Sequence, residues 1–244
     1  MKKSVLLGFS GILIAGAASA EFQTEFNFAL VEADEDGFFV EGTYHFNEVD
    51  TSKGPLELAS FLDRATSVTA RFSDLINDDG FSLDGRFVLG NDFIIEAGYM
   101  QDPSTFNIGA GTYLSDSSEI SLTFENNDDA NTNSLTVDYF EIKDTRDNRS
   151  YAYDVGFSVI DGDGDDGFGV GGNITYYFQP EFSVGVTAGL VDVGDFEANN
   201  FVIDANYFFS ETIAIFGSFS RDDQSFGDFE VESDTFIVGV TGRF

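Results

Sequence analysis

Apolar and polar residues alternate at period two through almost the whole chain, and after residue 20 no apolar stretch is long enough to cross a bilayer as a helix. Phe22, Thr24, Phe26, Phe28 and Leu30 share one face of a first segment; an acidic turn from Glu32 to Gly37 then leads to Val40, Gly42, Tyr44 and Phe46 on a second. The rhythm recurs through Phe81 to Leu89, Tyr151 to Val159 and Phe168 to Phe178, and it ends on Phe236, Val238, Val240, Gly242 and Phe244. Fourteen such segments can be counted, each close to the roughly nine to eleven residues a tilted strand needs to span hydrocarbon. A sheet in lipid must close on itself to satisfy its backbone. The expected fold is therefore all-β, a transmembrane antiparallel up-and-down β-barrel of fourteen strands, with twelve as the alternative count.

The connections agree with an even count. If the first strand rises from the periplasm, the second set of connections should be short turns, and Gly90-Asn91-Asp92, Gln179-Pro180-Glu181 and Ser210-Glu211 are. The opposite set, Asn126 to Asn133, Asp161 to Gly167, Asp192 to Asn200 and Arg221 to Asp234, reads as longer acidic loops. Pro55, Pro103 and Pro180 all fall in connections, where a missing amide hydrogen breaks no ladder.

A water-soluble sandwich shows the same alternation with its apolar face turned inward. Three features favour the membrane. The polar face carries Glu25, Glu41, Arg71, Asp84, Arg86, Glu96, Asp138, Asp154 and Asp204, a lining suited to a water-filled lumen. Rings gather near segment ends, at Phe46, Phe81, Phe93, Tyr151, Phe168, Phe178, Phe182 and Phe201, as interfacial girdles do. Both chain ends also carry address-like patterns. Lys2 and Lys3 precede an apolar run from Val5 to Ala17 closed by Ala18-Ser19-Ala20, the layout of a cleaved signal peptide over residues 1–20, leaving one barrel domain over 21–244. The last strand, with Phe236, Val238, Val240 and Phe244 on one face, resembles the terminal signal that the barrel-insertion machinery reads, although Gly242 stands where those signals usually carry an aromatic.

Composition excludes other classes. Without Lys2 and Lys3, 9 basic residues remain against 44 acidic ones, a formal charge of −35, which rules against a nucleic-acid partner. There is no cysteine and so no disulfide framework. With 29 Phe and 9 Tyr the chain is too rich in rings to be disordered.

One segment departs from the rhythm. Between Asn47 and Thr66 the apolar residues Leu56, Leu58, Ala59, Phe61 and Leu62 fall at helical spacing, and Pro55 suits the first position of a short helix near 54–65. An amphipathic plug at the periplasmic mouth is its expected physical role. The block GPLELASFLDRA, with GTYHFNEVDTSKG before it and TSVTARF after it, resembles the signature of the Putative general bacterial porin family over residues 37–72. That resemblance implies a porin-like outer-membrane barrel and says little about its solute.

Catalytic chemistry is scarce. His45 is the only histidine, and no GxSxG elbow marks a nucleophilic serine, so an enzyme is not expected, nor is a cofactor. Asp161, Asp163 and Asp165 begin like a calcium loop, yet Asp166 occupies the position that needs Gly and no Glu follows at the twelfth, so an acidic turn is the better reading and a metal site only a weak candidate.

The expected function is passive diffusion of ions and small hydrophilic solutes across the bacterial outer membrane, with cations preferred over anions. Outer-membrane lipid and lipopolysaccharide are the implied surroundings, and monomer or homo-oligomer stays open. The alternative from another class is a non-conducting barrel that serves as a surface scaffold or adhesion element.

Overall fold

A segment with apolar side chains on one face and polar ones on the other exposes unpaired backbone groups along both edges, so in lipid it is stable only between two neighbours. The computed structural model describes residues 21–33, 36–75, 78–145, 149–162, 165–227 and 229–244, apart from the side chains of 75, 78 and 79. In it β1 (Glu21–Glu32), β2 (Asp36–Asp50), β3 (Ser67–Leu75), β4 (Asp78–Val88), β5 (Phe93–Met100), β6 (Thr105–Ser115) and β7 (Ser118–Asn127) form the first half of a closed barrel. β8 (Thr132–Asp144), β9 (Ser150–Asp161), β10 (Asp166–Gln179), β11 (Phe182–Val193), β12 (Phe196–Ser210), β13 (Ile213–Phe226) and β14 (Phe229–Arg243) form the second. Every strand pairs antiparallel with its neighbour in sequence. β14 meets β1 from Glu25 opposite Arg243 to Glu32 opposite Phe236, which closes the seam. The chain end is part of it: the amides of Gln23 and Thr24 donate to the Phe244 carbonyl at 2.8 and 2.9 Å, and the Phe244 amide donates to the Thr24 carbonyl at 2.8 Å.

Rings and aliphatic side chains point outward in a continuous belt that includes Phe26, Leu30, Phe72, Ile108, Val155, Ile174, Ile203 and Val238, all exposed on the isolated chain. Such a belt is stable only when lipid covers it. Buried apolar residues are few and lie inside the barrel toward its ends.

Two expectations change. The first concerns Phe22, placed by simple alternation on the outer face with Phe26. The pairing of β1 with β2 shifts between Phe22 and Thr24, and this bulge turns Phe22 into the interior, where it is 3% exposed beside Val49, Ala59 and Ala65. The second concerns the acidic loops. Most of their residues continue the ladder beyond the apolar belt, with Phe226 opposite Phe229 and Phe196 opposite Val193, leaving short turns such as Gly194-Asp195, where Gly194 supplies the positive φ of 60° that a tight hairpin requires. Backbone pairing does not depend on side-chain polarity, and the rings of Phe196 and Phe226, tilted against each other with centroids 4.7 Å apart, help hold these extensions together while the acids project into water.

Candidate functional site

The end of the barrel where β1 begins at Glu21 and β14 ends is occupied. Residues 51–66 leave β2 as a 3-10 turn at Thr51–Lys53, pass a second at Leu56–Leu58 and finish as a single helical turn, α1 (Ala59–Leu62). Pro55 therefore precedes a 3-10 turn, and the helix is shorter than the spacing over 54–65 predicts, because each apolar residue of the segment reaches a different part of the wall. Leu56 packs on Phe208 and Ala214. Ala59 joins Phe22 and Val49, and Leu58, Phe61 and Leu62 cover Ile142, Ala152 and Tyr177. The Phe61 ring lies edge-on to Phe140 at 4.6 Å and beside Tyr113 at 5.4 Å. Strands β1, β2, β6, β8, β9, β10, β12 and β13 thus all touch one short segment, which spans the mouth as a plug.

Polar anchors hold both ends of the plug. At its root, Lys53 pairs with Asp63, and the Asp50 amide donates to Asp63 Oδ2 at 3.1 Å. Arg64, in the left-handed conformation with φ 54°, ends α1 and sends its guanidinium to Asp92 and Asp116 on two neighbouring turns. At the tip, the Leu56 amide donates to the Pro180 carbonyl at 2.9 Å, and Ser183 Oγ donates to Glu57 Oε2 at 2.6 Å. Arg243 Nη1 donates to the Leu56 carbonyl at 2.8 Å. Midway, the Tyr113 hydroxyl donates to the Phe61 carbonyl at 3.1 Å.

Burial raises the Glu57 carboxyl above the ordinary carboxylate range, the Ser183 hydroxyl bond opposes it, and the Asp204 charge adds to it. The Asn206 amide and the Arg243 charge also favour the ionised form, and the Tyr177 ring faces the same group. A carboxyl raised in the docked state favours docking most below its undocked value, and that contribution is lost as pH rises through the docked one. Acid is therefore expected to hold the plug more firmly and alkali to loosen it. Channel currents recorded from acid to alkaline pH should increase, and Glu57→Gln should flatten that dependence; a profile equally steep in both proteins would refute the assignment to Glu57.

Beyond the plug the interior is polar and rich in acid. Glu41, Arg71, Asp84, Arg86, Glu96, Asp138, Asp154 and Asp204 all take inward positions in the register. They do not form one ring. Arg86 bridges Glu96 and Glu119, the latter at 2.5 Å, so one guanidinium is shared between two carboxylates and offsets one of their two charges. Arg71 lies over the Phe39 ring at 3.9 Å. Glu25 is held beneath the plug by Arg243 at 2.6 Å.

On the opposite wall one register row runs Asp138, Gly156, Gly171, Gly189, Asn200, Asp222 across six strands. Three adjacent strands without side chains there leave a recess of about 410 Å³. The neighbouring polar groups lean over the glycines: Asp138 Oδ1 lies 2.4 Å from where a Gly156 Cβ would be, and Asn200 Oδ1 2.5 Å from that of Gly189. Any side chain at those two positions would displace them. Glu119, Asp222, Asn200 and this glycine row are absent from the set expected from sequence, though the alternate glycines Gly167, Gly169 and Gly171 in β10 were a visible signal.

His45 is inward and 4% exposed, edge-on to Phe22 at 5.3 Å. Asp161 ends β9 and the Asp165 backbone carbonyl accepts from the Gly162 amide in the adjoining turn, while Asp163 and residues 1–20, the expected signal peptide, lie outside the described residues. Among the described residues no group of three or more His, Cys, Asp or Glu side chains is arranged to hold a metal ion. Phe236, Val238, Val240 and Phe244 are exposed on the outer face of the seam.

An apolar belt outside, a polar interior and full closure define a transmembrane barrel of the bacterial outer membrane. The chain belongs to the family described as Putative general bacterial porin, whose profile matches residues 1–151. The crystal structure of the Acinetobacter baumannii outer membrane protein Omp33 is similar with a TM-score of 0.76 at 20% identity, over 92% of this chain and 99% of that one. A bacterial polysaccharide outer membrane secretin is similar with a TM-score of 0.55 at 8% identity, over 93% of this chain and 100% of that one. Both likenesses are of fold. No curated protein sequence matches the chain.

Proposed function

We propose that this porin-family barrel is a cation-preferring diffusion channel for small hydrophilic solutes, closed at its periplasmic mouth by residues 51–66. The observation that carries the closed state is the ring of wall contacts around the plug, which leaves the mouth filled by Leu56, Phe61 and Leu62. The polar interior supports passage once the plug moves, since lipid-facing constraints do not explain acids turned inward. Cation preference follows from Asp84, Asp138, Asp154, Asp204 and Asp222 facing a lumen in which, beyond the plug and Arg243 at its tip, Arg71 and Arg86 face inward among the described residues and Arg86 is already paired. The expected pore-lining role of Glu25, Glu41, Arg71, Arg86 and Glu96 is proposed together with that of these aspartates. Residues 1–20 would be removed as a signal peptide, and the outward row ending at Phe244 would be read by the insertion machinery.

Replacing Asp84, Asp138, Asp154 and Asp204 together by Asn should move the reversal potential in a salt gradient toward zero without abolishing current. An unmoved reversal potential would exclude these groups from the conduction path. The seated plug itself favours a second reading, a permanently filled barrel acting as a surface scaffold. Full-length protein that opens, even rarely, in planar bilayers supports the channel; full-length protein that stays closed while a plugless variant conducts supports the scaffold.

A further inference from the structure

The geometry points to Arg243 as the latch of the plug, a positioning residue that holds the channel closed and links the closed gate to the closed seam. The inference rests on the gated-channel reading.

Arg243 is the penultimate residue and sits on the inward face of β14, yet its side chain is only 5% exposed. Its guanidinium lies 4.5 Å from the ring centroids of both Phe22 and Phe208, sandwiched between β1 and β12. Nε donates to Glu25 on β1, and Nη1 donates to the Leu56 carbonyl at the plug tip. A planar guanidinium can serve two faces and two edges at once, which an ammonium cannot. The tip of the plug therefore docks on a site made jointly by the first and last strands.

Two consequences follow. The bulge that turns Phe22 inward builds one wall of this site, which gives that irregularity a role. The site also exists only after β14 has joined β1, so the plug tip can seat only on a barrel whose seam is shut. The root of the plug is fastened differently, by Lys53, Asp63 and Arg64 to β2 and to the adjoining turns. Loss of Arg243 should free the tip and leave the root attached.

The test is single-channel recording on full-length protein carrying Arg243→Gln or Arg243→Lys, and on the same variants lacking the plug. Losing a charged donor from a buried carbonyl should raise the open fraction by about tenfold or more in the full-length Gln variant. Arg243→Lys keeps the charge but not the fork, and should open nearly as much. In the plugless background neither change should alter open fraction, which a general loosening of the barrel would not respect. Should Arg243→Gln fail to fold, as judged by heat-modifiable migration, Phe208→Leu removes one ring of the sandwich without touching the terminal strand and should also raise the open fraction. A folded Arg243→Gln protein as closed as the unaltered one, while plugless protein conducts, would overturn the latch. Plugless protein that does not conduct would instead overturn the gate reading and the latch with it.

Discussion

Replacing Thr51–Arg64 by a short Gly-Ser turn is expected to convert a closed barrel into one with steady conductance, a rise of at least about tenfold over full-length protein under the same voltage. Fourteen strands at ordinary tilt make a backbone cylinder of roughly 25 to 30 Å, too wide for wall side chains alone to fill. The wall around the plug is not built to meet across the lumen. Tyr113, Phe140, Ile142, Ala152, Tyr177 and Phe208 form a rim whose partners are Leu56, Leu58, Phe61 and Leu62. Removing the segment exposes that rim to water, at a cost of about 2 kcal/mol for each large side chain it had covered. The sheet pairing of β2 with β3, from Phe38 opposite Asp74 to His45 opposite Ser67, lies outside the deleted stretch, so closure of the barrel does not depend on it. The measurement is planar-bilayer conductance of folded protein, with swelling of solute-loaded liposomes as an independent readout. Plugless protein that folds but passes neither ions nor small sugars would contradict the proposed function.

How far sequence reaches can be seen in individual residues. Phe26, Phe28 and Leu30 were assignable to the lipid face because a sheet has only two faces and lipid accepts only one kind of side chain. The terminal row ending at Phe244 was readable for the same reason, as was the seam with the first strand. Phe22 was not, because a single bulged residue reverses every assignment beyond it and leaves no mark in composition. Alternation alone puts Arg243 on the face opposite Phe244, but its role needs Phe208, Glu25 and Leu56, which are 35, 218 and 187 positions away. The helical spacing at Leu56 to Leu62 announced a plug; the length of the helix was set by where the wall offered contacts. The acidic hairpins look like loops in the sequence because their charge hides a ladder that depends on the backbone alone. The lumen acids were visible as a face, whereas their division into paired Glu96 and Glu119 and the more open Asp138, Asp154 and Asp222 depended on which strands stand opposite one another.

That pairing sets the second large effect, which falls on stability. Arg86→Met should lower the unfolding free energy by about 2 to 3 kcal/mol, because it leaves Glu96 and Glu119 facing each other without a cation. The triad spans β4, β5 and β7, and Arg86 also donates to the Tyr113 hydroxyl at 3.3 Å. The side chains of Arg86, Glu96 and Glu119 are 25, 29 and 15% exposed, so water screens the loss and keeps it below that of a fully buried pair. The chain has no tryptophan, so urea unfolding in detergent micelles is best followed by far-ultraviolet circular dichroism. Removing the stranded charge should restore much of the loss: Arg86→Met with Glu119→Gln is expected to be more stable than Arg86→Met alone. The single variant should also weaken the hold on the plug, since Tyr113 carries the bond to Phe61 and loses the donor that fixes its hydroxyl. A barrel unaffected by Arg86→Met, or one that the second substitution destabilises further, would mean that the two glutamates are not held by this arginine.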